Sequence, residues 1–486
     1  MARAAREVLH LGRADRSFQP GNGRGSCIVS LASRLICAGC DTALSPQEAR
    51  PFCCPRKDAG DDVDHVLGIE LDLEGDAFPE ADDPDPFVVF RKLFHSYRFA
   101  RRKGVEDAEF VARVREIDRA LAETDGRSFR FTPLVRSREL ESAAGIANVW
   151  IKDETGNVGG SHKARHLMGI ALHLAFAQEA GRELSISSCG NAALGAALVA
   201  KATGRPLKAF VPPAADALVL ARLEELGTRV VACERTPELP PGDPCTHRFR
   251  ADVAGGALPF SVQGSDNALS LEGGRTLVWE MVSQFKESSM PLPDNVVIQV
   301  GGGALGSSFV QGFETALQLG AVERLPRFFF VQTEKLHPLE RAWRRLTEDA
   351  YAAAGESPGK RSNAEHAAWW LEHREDEEVR RVWRGARRRR SRYMQPWKTA
   401  PKSLATGILD DETYDGFVLL DALIRTGGWP LLASEEGLSR SQELADVAGI
   451  PACATATAGL AGLLALDEAT GFEDQGWAVL FTGERR

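Results

Sequence analysis

Lys152-Asp153-Glu154-Thr155-Gly156-Asn157-Val158-Gly159-Gly160-Ser161-His162-Lys163 is the stretch on which the reading of the fold turns. Asn148-Val149-Trp150-Ile151 before it reads as a short buried strand. Ala164 to Gln178 after it carries Leu167, Ile170, Ala171 and Leu174 at helical spacing, so the glycine-rich link is a strand-to-helix loop. Lys163 then falls in the first turn of a helix, where the dipole disfavours its ammonium form, and partial burial acts in the same direction. A surface lysine would fit the same spacing. A neutral amine at this place, by contrast, can attack an aldehyde and suits a Schiff base with pyridoxal phosphate.

Two further loops have the same format. Ser187-Ser188-Cys189-Gly190-Asn191 follows Leu184-Ser185-Ile186 and precedes the helix-like Ala192 to Ala197. Such a turn offers backbone N–H groups and short donors to a carboxylate, although an ordinary N-cap has the same composition. Gly301-Gly302-Gly303-Ala304-Leu305-Gly306-Ser307-Ser308 follows the strand-like Asn295 to Val300 and leads into a helix through Phe309 to Leu319. Its glycines can turn N–H groups onto a phosphate at a helix N-terminus. The pattern lacks the spacing of a dinucleotide fingerprint and the Lys-Ser/Thr ending of a P-loop.

In this order, the lysine loop, Ser-Gly-Asn-type loop and glycine loop resemble the fold-type II pyridoxal phosphate enzymes: threonine synthase, serine/threonine dehydratase, cysteine synthase and tryptophan synthase β. The resemblance runs from about Thr132-Pro133-Leu134 to the C-terminus and includes Ala209 to Pro213, Leu223 to Gly227 and Val331-Gln332-Thr333-Glu334. It implies an α/β fold of two open subdomains with the cofactor in their cleft. It also implies Lys163 as the catalytic, cofactor-holding lysine and Asn191 at the cofactor's ring oxygen. Gly301, Gly302, Gly303, Ala304 and Leu305 would form the phosphate loop, with Ala304 in place of a fourth glycine. Ser187, Ser188, Gly190 and Asn191 would hold the substrate carboxylate. His162 departs from the phenylalanine of threonine synthase and dehydratase. Ser-His-Lys looks instead like tryptophan synthase β, where the histidine lies near the phosphate; a hydrogen-bonded packing histidine is the alternative. The family expects a hydroxyl or thiol facing the pyridine nitrogen near the C-terminus. Ala452 to Leu463 resembles that segment, and Thr455 and Thr457 are both candidates.

Cys37-Ala38-Gly39-Cys40 with Cys53-Cys54 resembles in part the zinc ribbon at the start of some threonine synthases. The resemblance implies Cys37, Cys40, Cys53 and Cys54 as zinc ligands. Cys27 or His65 could replace a missing one, because structural zinc takes four ligands. A ribbon remnant folding without metal is the alternative.

The chain has 486 residues, 43% of them hydrophobic and 26% charged, with a net charge of −9. Those values fit a soluble globular protein of two or three domains and argue against nucleic acid as a partner. No apolar run reaches membrane-spanning length, and Met1 to Glu7 has no apolar signal core. Nine unevenly spread cysteines suit a reducing cytoplasm. The expected organisation is a ribbon-like arm over 1–60 and an acidic linker with a helical segment over 61–125. The catalytic body covers 126–486, with a smaller subdomain at about 166–275. A charged insertion at about 350–402 carries Glu372 to Glu378 and Arg387 to Arg390. A solvated helix face explains that insertion, with anion binding as the sharper alternative, and Tyr393 to Trp397 is a candidate lid. The family resemblance implies a lyase acting on an amino acid by Cα deprotonation and β/γ elimination or replacement, threonine synthase-like. A serine/threonine dehydratase and a non-catalytic pyridoxal phosphate carrier are the alternatives, and a homodimer is the expected assembly.

Overall fold

The chain forms a six-stranded and a four-stranded sheet, parallel but for one edge strand, and a two-stranded antiparallel sheet in the N-terminal arm. The computed structural model describes residues 31–58, 60–179, 181–239, 242–397, 401–466, 471–472 and 474–486. Met1 to Glu7 and Cys27 lie outside the described residues. In chain order the strands are β1 (Ser33–Cys37), β2 (Leu67–Leu71), β3 (Leu134–Arg136), β4 (Val149–Asp153), β5 (Leu184–Ser187), β6 (Leu207–Val211), β7 (Arg229–Ala232), β8 (Leu258–Pro259), β9 (Asn295–Gln299), β10 (Arg327–Thr333), β11 (Pro430–Ala433) and β12 (Trp477–Phe481).

The larger sheet runs β11-β10-β9-β12-β4-β3 and the smaller β7-β6-β5-β8. Within the larger sheet only β3 is antiparallel to its neighbour. Strands β9 and β12 are buried at every position, as a sheet covered by helices on both faces requires. The last strand, β12, enters between β9 and β4. Loops leaving β9 and β4 therefore diverge on either side of it, which is where open α/β sheets bind ligands.

The helices Lys163–Phe176 and Ser270–Glu287 cross almost backbone to backbone. A Cβ on Gly273 would collide with the carbonyl oxygen of Arg165, so glycine is what allows the approach. An ion network locks the crossing. Arg165 pairs with Glu154 (2.7 Å) and Glu280, Lys152 pairs with Glu280 (2.9 Å), and all four side chains are fully buried. Lys152 also donates to the Thr132 carbonyl (2.8 Å) and Gln284 (2.9 Å). This lysine is structural, sealed within β4 just before its turn.

The N-terminal arm extends past residue 60, because β1 pairs antiparallel with β2 at 67–71. The acidic stretch that follows is bound to the body: Arg98 pairs with Asp76 (3.1 Å), Arg115 pairs with Asp83, and Asp85 is a buried N-cap accepting from Phe87 N–H. The insertion forms the helices Asn363–His373, Glu377–Ala386 and Arg390–Tyr393. Its arginines pair with neighbouring carboxylates, Arg392 with Asp349 (2.6 Å) and Arg390 with Glu412 (2.5 Å) and Asp64 (3.3 Å). Tyr393 and Met394 are buried, and Trp397 N–H donates to the Asp411 carbonyl (2.9 Å).

Candidate active site

The carboxyl ends of β4, β9, β12 and β5 deliver four loops to the cleft. From β4, Asn157 turns the chain by donating to Glu154 (2.9 Å) and to the Ser161 carbonyl (3.2 Å). Ser161-His162 then starts the helix on which Lys163 is the first residue. Burial pushes the Lys163 ammonium below its ordinary pKa, while Asp410 opposes the shift. The helix N-terminus acts in the same direction as burial. An amine that loses its proton readily is the result.

His162 is buried and held neutral, its pKa driven well below the ordinary value by desolvation and then by Lys163. Its Nδ1 lies 3.1 Å from the Thr482 carbonyl oxygen, so Nδ1 carries the hydrogen. Nε2 has no partner among the described residues and presents a lone pair. As a neutral acceptor there, His162 cannot donate to a phosphate through Nε2.

From β9, Gly301 to Gly303 turn into the helix Ala304–Gln318. Gly303 has φ +103°, a conformation that favours glycine. A Cβ at Gly301 would collide with Asp410 Oδ2, and one at Gly302 would come within 2.9 Å of Tyr414 Cδ2. The loop is thus bare backbone at a helix N-terminus. The Asp410 carboxylate already interacts with the Gly302 N–H there. Burial nevertheless raises Asp410 to about 6, with Lys163 and that N–H acting against the rise. Bare backbone at a helix N-terminus is the kind of place that suits an anion.

From β5, Ser187 to Gly190 precede the helix Asn191–Ala202, half-buried and with open space over Gly190. Asn191 Oδ1 accepts from Arg486, which also donates to the Gly159 carbonyl (2.6 Å). Arg486 therefore ties the lysine loop to the carboxylate-type loop. From β12, Thr482 follows the last strand directly. Its hydroxyl accepts from Gln299 Nε2 (2.8 Å), and its carbonyl faces His162.

The family model of pyridoxal-phosphate-dependent enzymes matches residues 127–483. The chain belongs to this family. It is 25% identical over 339 residues to the threonine synthase of Methanocaldococcus jannaschii, across 68% of this chain and 69% of that one. It is 32% identical over 183 residues to a serine dehydratase-like protein of Rattus norvegicus, across 38% of this chain and 52% of the relative. Among solved structures, serine racemase from Dictyostelium discoideum superimposes with a TM-score of 0.53 at 16% identity, covering 77% of this chain and 98% of its own. A threonine deaminase from T.th. gives 0.52 at 20% identity, covering 76% and 98%. These likenesses establish a fold-type II architecture, and the chain is a pyridoxal phosphate-dependent enzyme.

The structure brings Lys163, His162, Asn191 and the loop from Gly301 to Leu305 to the same strand ends. It separates the two threonines expected at the pyridine nitrogen. Thr457 is fully buried in the helix Ala454–Leu464, its hydroxyl 2.8 Å from that of Ser441. Thr455 accepts from Gly407 N–H (3.0 Å) and braces the segment before Asp410. Thr482 brings a further hydroxyl to these strand ends, and it was not among the residues singled out from the sequence. The signal was present in Trp477 to Phe481, a strand-like run ending in Thr482-Gly483, the same format as the other loops. The metal-ligand set also changes. The Cys53 thiol points to the backbone carbonyls of Asp266 (3.1 Å) and Ser265 (3.7 Å), and His65 takes its place beside Cys37, Cys40 and Cys54.

Proposed function

We propose that Lys163 holds pyridoxal 5'-phosphate and moves the Cα proton of an amino acid, which then loses or exchanges a β or γ substituent. The placement of Lys163 between the glycine loop and the Ser187–Asn191 loop carries this reading. When bound, the cofactor supplies an electron sink for the pair left at Cα. Gly301 to Leu305 would hold its phosphate by backbone N–H groups, Asn191 would serve its ring oxygen, and the Thr482 hydroxyl would serve the pyridine nitrogen. A neutral hydroxyl there would leave that nitrogen largely unprotonated, which favours elimination and replacement over transamination. Ser187, Ser188 and Gly190 orient the substrate carboxylate at the N-terminus of the helix Asn191–Ala202. Lys163 Nζ, its ammonium disfavoured, takes the proton from Cα.

The reading is threonine synthase-like in reaction class, with a dehydratase as its neighbour. One observation separates their substrates. Asp410 and Asp411 stand side by side in one segment, and Asp410 reaches the glycine loop. That field repels a phosphorylated side chain and favours a hydroxyl or amino leaving group. The eight described cysteines are unpaired, which supports a cytoplasmic setting. No helix among the described residues is long and apolar enough to cross a membrane.

The test uses the yellow holoenzyme. Borohydride reduction and peptide mapping should place the phosphopyridoxyl group on Lys163; a label on Lys201 refutes the assignment. Serine or threonine should release a 2-oxo acid and ammonia, and O-phosphohomoserine should turn over more slowly. Absence of both spectral change and Cα–H exchange with every common amino acid would leave a carrier.

A further inference from the structure

The arm that precedes the catalytic body contains a four-donor cluster with the geometry of a closed metal site. Cys37, Cys40, Cys54 and His65 each present one ligand atom, and the four atoms lie within 4.8 Å of one another. Cys37 Sγ is 3.3 Å from His65 Nδ1, and Cys40 Sγ is 3.6 Å from Cys54 Sγ. A tetrahedral zinc with sulfur at about 2.3 Å and nitrogen at about 2.0–2.1 Å has S–S and S–N edges of about 3.8 and 3.6 Å. The cluster already has the size that such an ion needs.

Its surroundings prepare the ligands. His65 Nε2 lies 2.7 Å from Asp61 Oδ2, so the carboxylate takes the Nε2 hydrogen and turns the Nδ1 lone pair toward Cys37. The turn Cys37-Ala38-Gly39-Cys40 is closed by Asp41 N–H to the Cys37 carbonyl and Cys37 N–H to the Thr42 carbonyl, both 2.9 Å. A Cβ on Gly39 would collide with the Asp64 carbonyl, so the turn lies directly on the segment that carries His65. Cys37, Cys54 and His65 are buried, and Cys40 is partly buried. Four protein donors with no open position describe a structural site, and three thiolates with one imidazole suit zinc among the divalent metals.

We propose that Cys37, Cys40, Cys54 and His65 bind one structural zinc ion, which ties the arm to the wall of the catalytic cleft. The residues between the ligands make the connection. The Phe52 carbonyl accepts from Ala268 N–H (2.9 Å), and Lys57 donates to the Ser265 carbonyl (3.0 Å). Next to His65, Asp64 N–H donates to the Arg387 carbonyl (2.9 Å), and the Asp64 carboxylate pairs with Arg390. Arg390 in turn holds Glu412, two residues beyond Asp410. The ion thus fixes three chain segments whose outer sides support the cleft.

Metal analysis of the full-length protein, purified without chelator or affinity-tag metal, decides the matter. The expected content is one zinc per chain. His65→Ala and Cys54→Ser should each reduce it to below about a tenth per chain, while Cys53→Ser should retain it in full. If the zinc-poor variants do not fold, cobalt exchanged into the wild-type protein gives the second readout. Tetrahedral d–d bands with thiolate charge transfer support the site. Wild-type protein that contains no zinc and takes up none when it is added overturns the proposal. So does a Cys53→Ser variant as poor in zinc as Cys54→Ser, or an octahedral cobalt spectrum. None of these readouts depends on the reaction proposed above.

Discussion

At the scale of single residues, the glycine loop and Asp410 make opposed demands on the same space. A phosphate seated on the Gly301–Gly303 N–H groups must share it with a carboxylate whose Oδ2 is in contact distance of Gly301. Unit charges a few ångströms apart repel by about 4 kcal/mol at an effective dielectric constant of 20. Asp410→Asn should therefore tighten pyridoxal phosphate binding by about tenfold or more at pH 7.5, read from an equilibrium absorbance titration. Unchanged or weaker binding would show that the carboxylate does not oppose the phosphate. Gly302→Asp has the opposite sign. It adds a charge to the cup and a Cβ against Tyr414, so cofactor occupancy should collapse in a protein whose circular dichroism is unaltered. Lys163 and the three glycines were legible because the strand, small-residue loop and helix around each are local patterns. Thr482 was passed over although its strand-then-Thr-Gly format matched the other loops, and the choice of His65 over Cys53 needed the pairing of β1 with β2 to bring the distant segments together.

Among the elements, strands and helices were readable from apolar spacing, and the differences lie at their ends. The lysine helix begins at Lys163 itself and stops at Phe176, and the glycine-loop helix starts at Ala304, directly after the positive-φ Gly303. The helical segment expected within 61–125 breaks into short helices at Phe90, Phe94 and the Lys103 to Glu106 turn before Asp107–Asp125. What the sequence did not disclose is why β4 and two helices hold so firm a geometry around one lysine. The buried Lys152–Glu280–Arg165–Glu154 network does this, and burial is invisible in a charge pattern. Glu280 sits between two cations and is held below the usual carboxylate range by Arg165 and Lys152 against desolvation. Glu280→Gln leaves Glu154 to balance both buried cations and strips Lys152 of its carboxylate partner, which costs about 3–5 kcal/mol for a buried pair. The expected result is a large drop in the denaturation midpoint, accompanied by loss of the cofactor absorbance. A surface pair such as Arg440–Glu443 (3.0 Å), removed in parallel, should change the midpoint by at most about 1 kcal/mol equivalent.

Across the whole molecule, the charged insertion and the acidic stretch after β2 became intelligible only in three dimensions, because each finds its partner far along the chain. The same long-range burial sets how stability responds to pH. Asp85 is raised to about 7 by desolvation, with the Asp118 charge adding to the rise and Phe87 N–H and Arg115 opposing it. Glu272 is raised to about 7 by desolvation, against the Ser96 N–H and Arg275. In both, the folded protein keeps a proton that the unfolded chain has released. Their contribution is fully present below the unfolded pKa values near 4 and is lost as pH rises through about 7. Buried His95 and His173 act in reverse, with pKa values lowered by desolvation, so stability is lost as pH falls below their unfolded value near 6.5. Wild-type melting at one pH mixes the two effects, and a difference between proteins isolates the carboxylates. Asp85→Asn with Glu272→Gln keeps a hydrogen-bond acceptor at both places and removes both ionisations. Relative to wild type, the melting temperature of this double variant should therefore rise between pH 5 and pH 8, by about 1 °C for each kcal/mol recovered in a chain of this size. The histidines are common to both proteins and cancel. A difference that stays flat across that range would mean that neither carboxyl retains its proton in the folded chain.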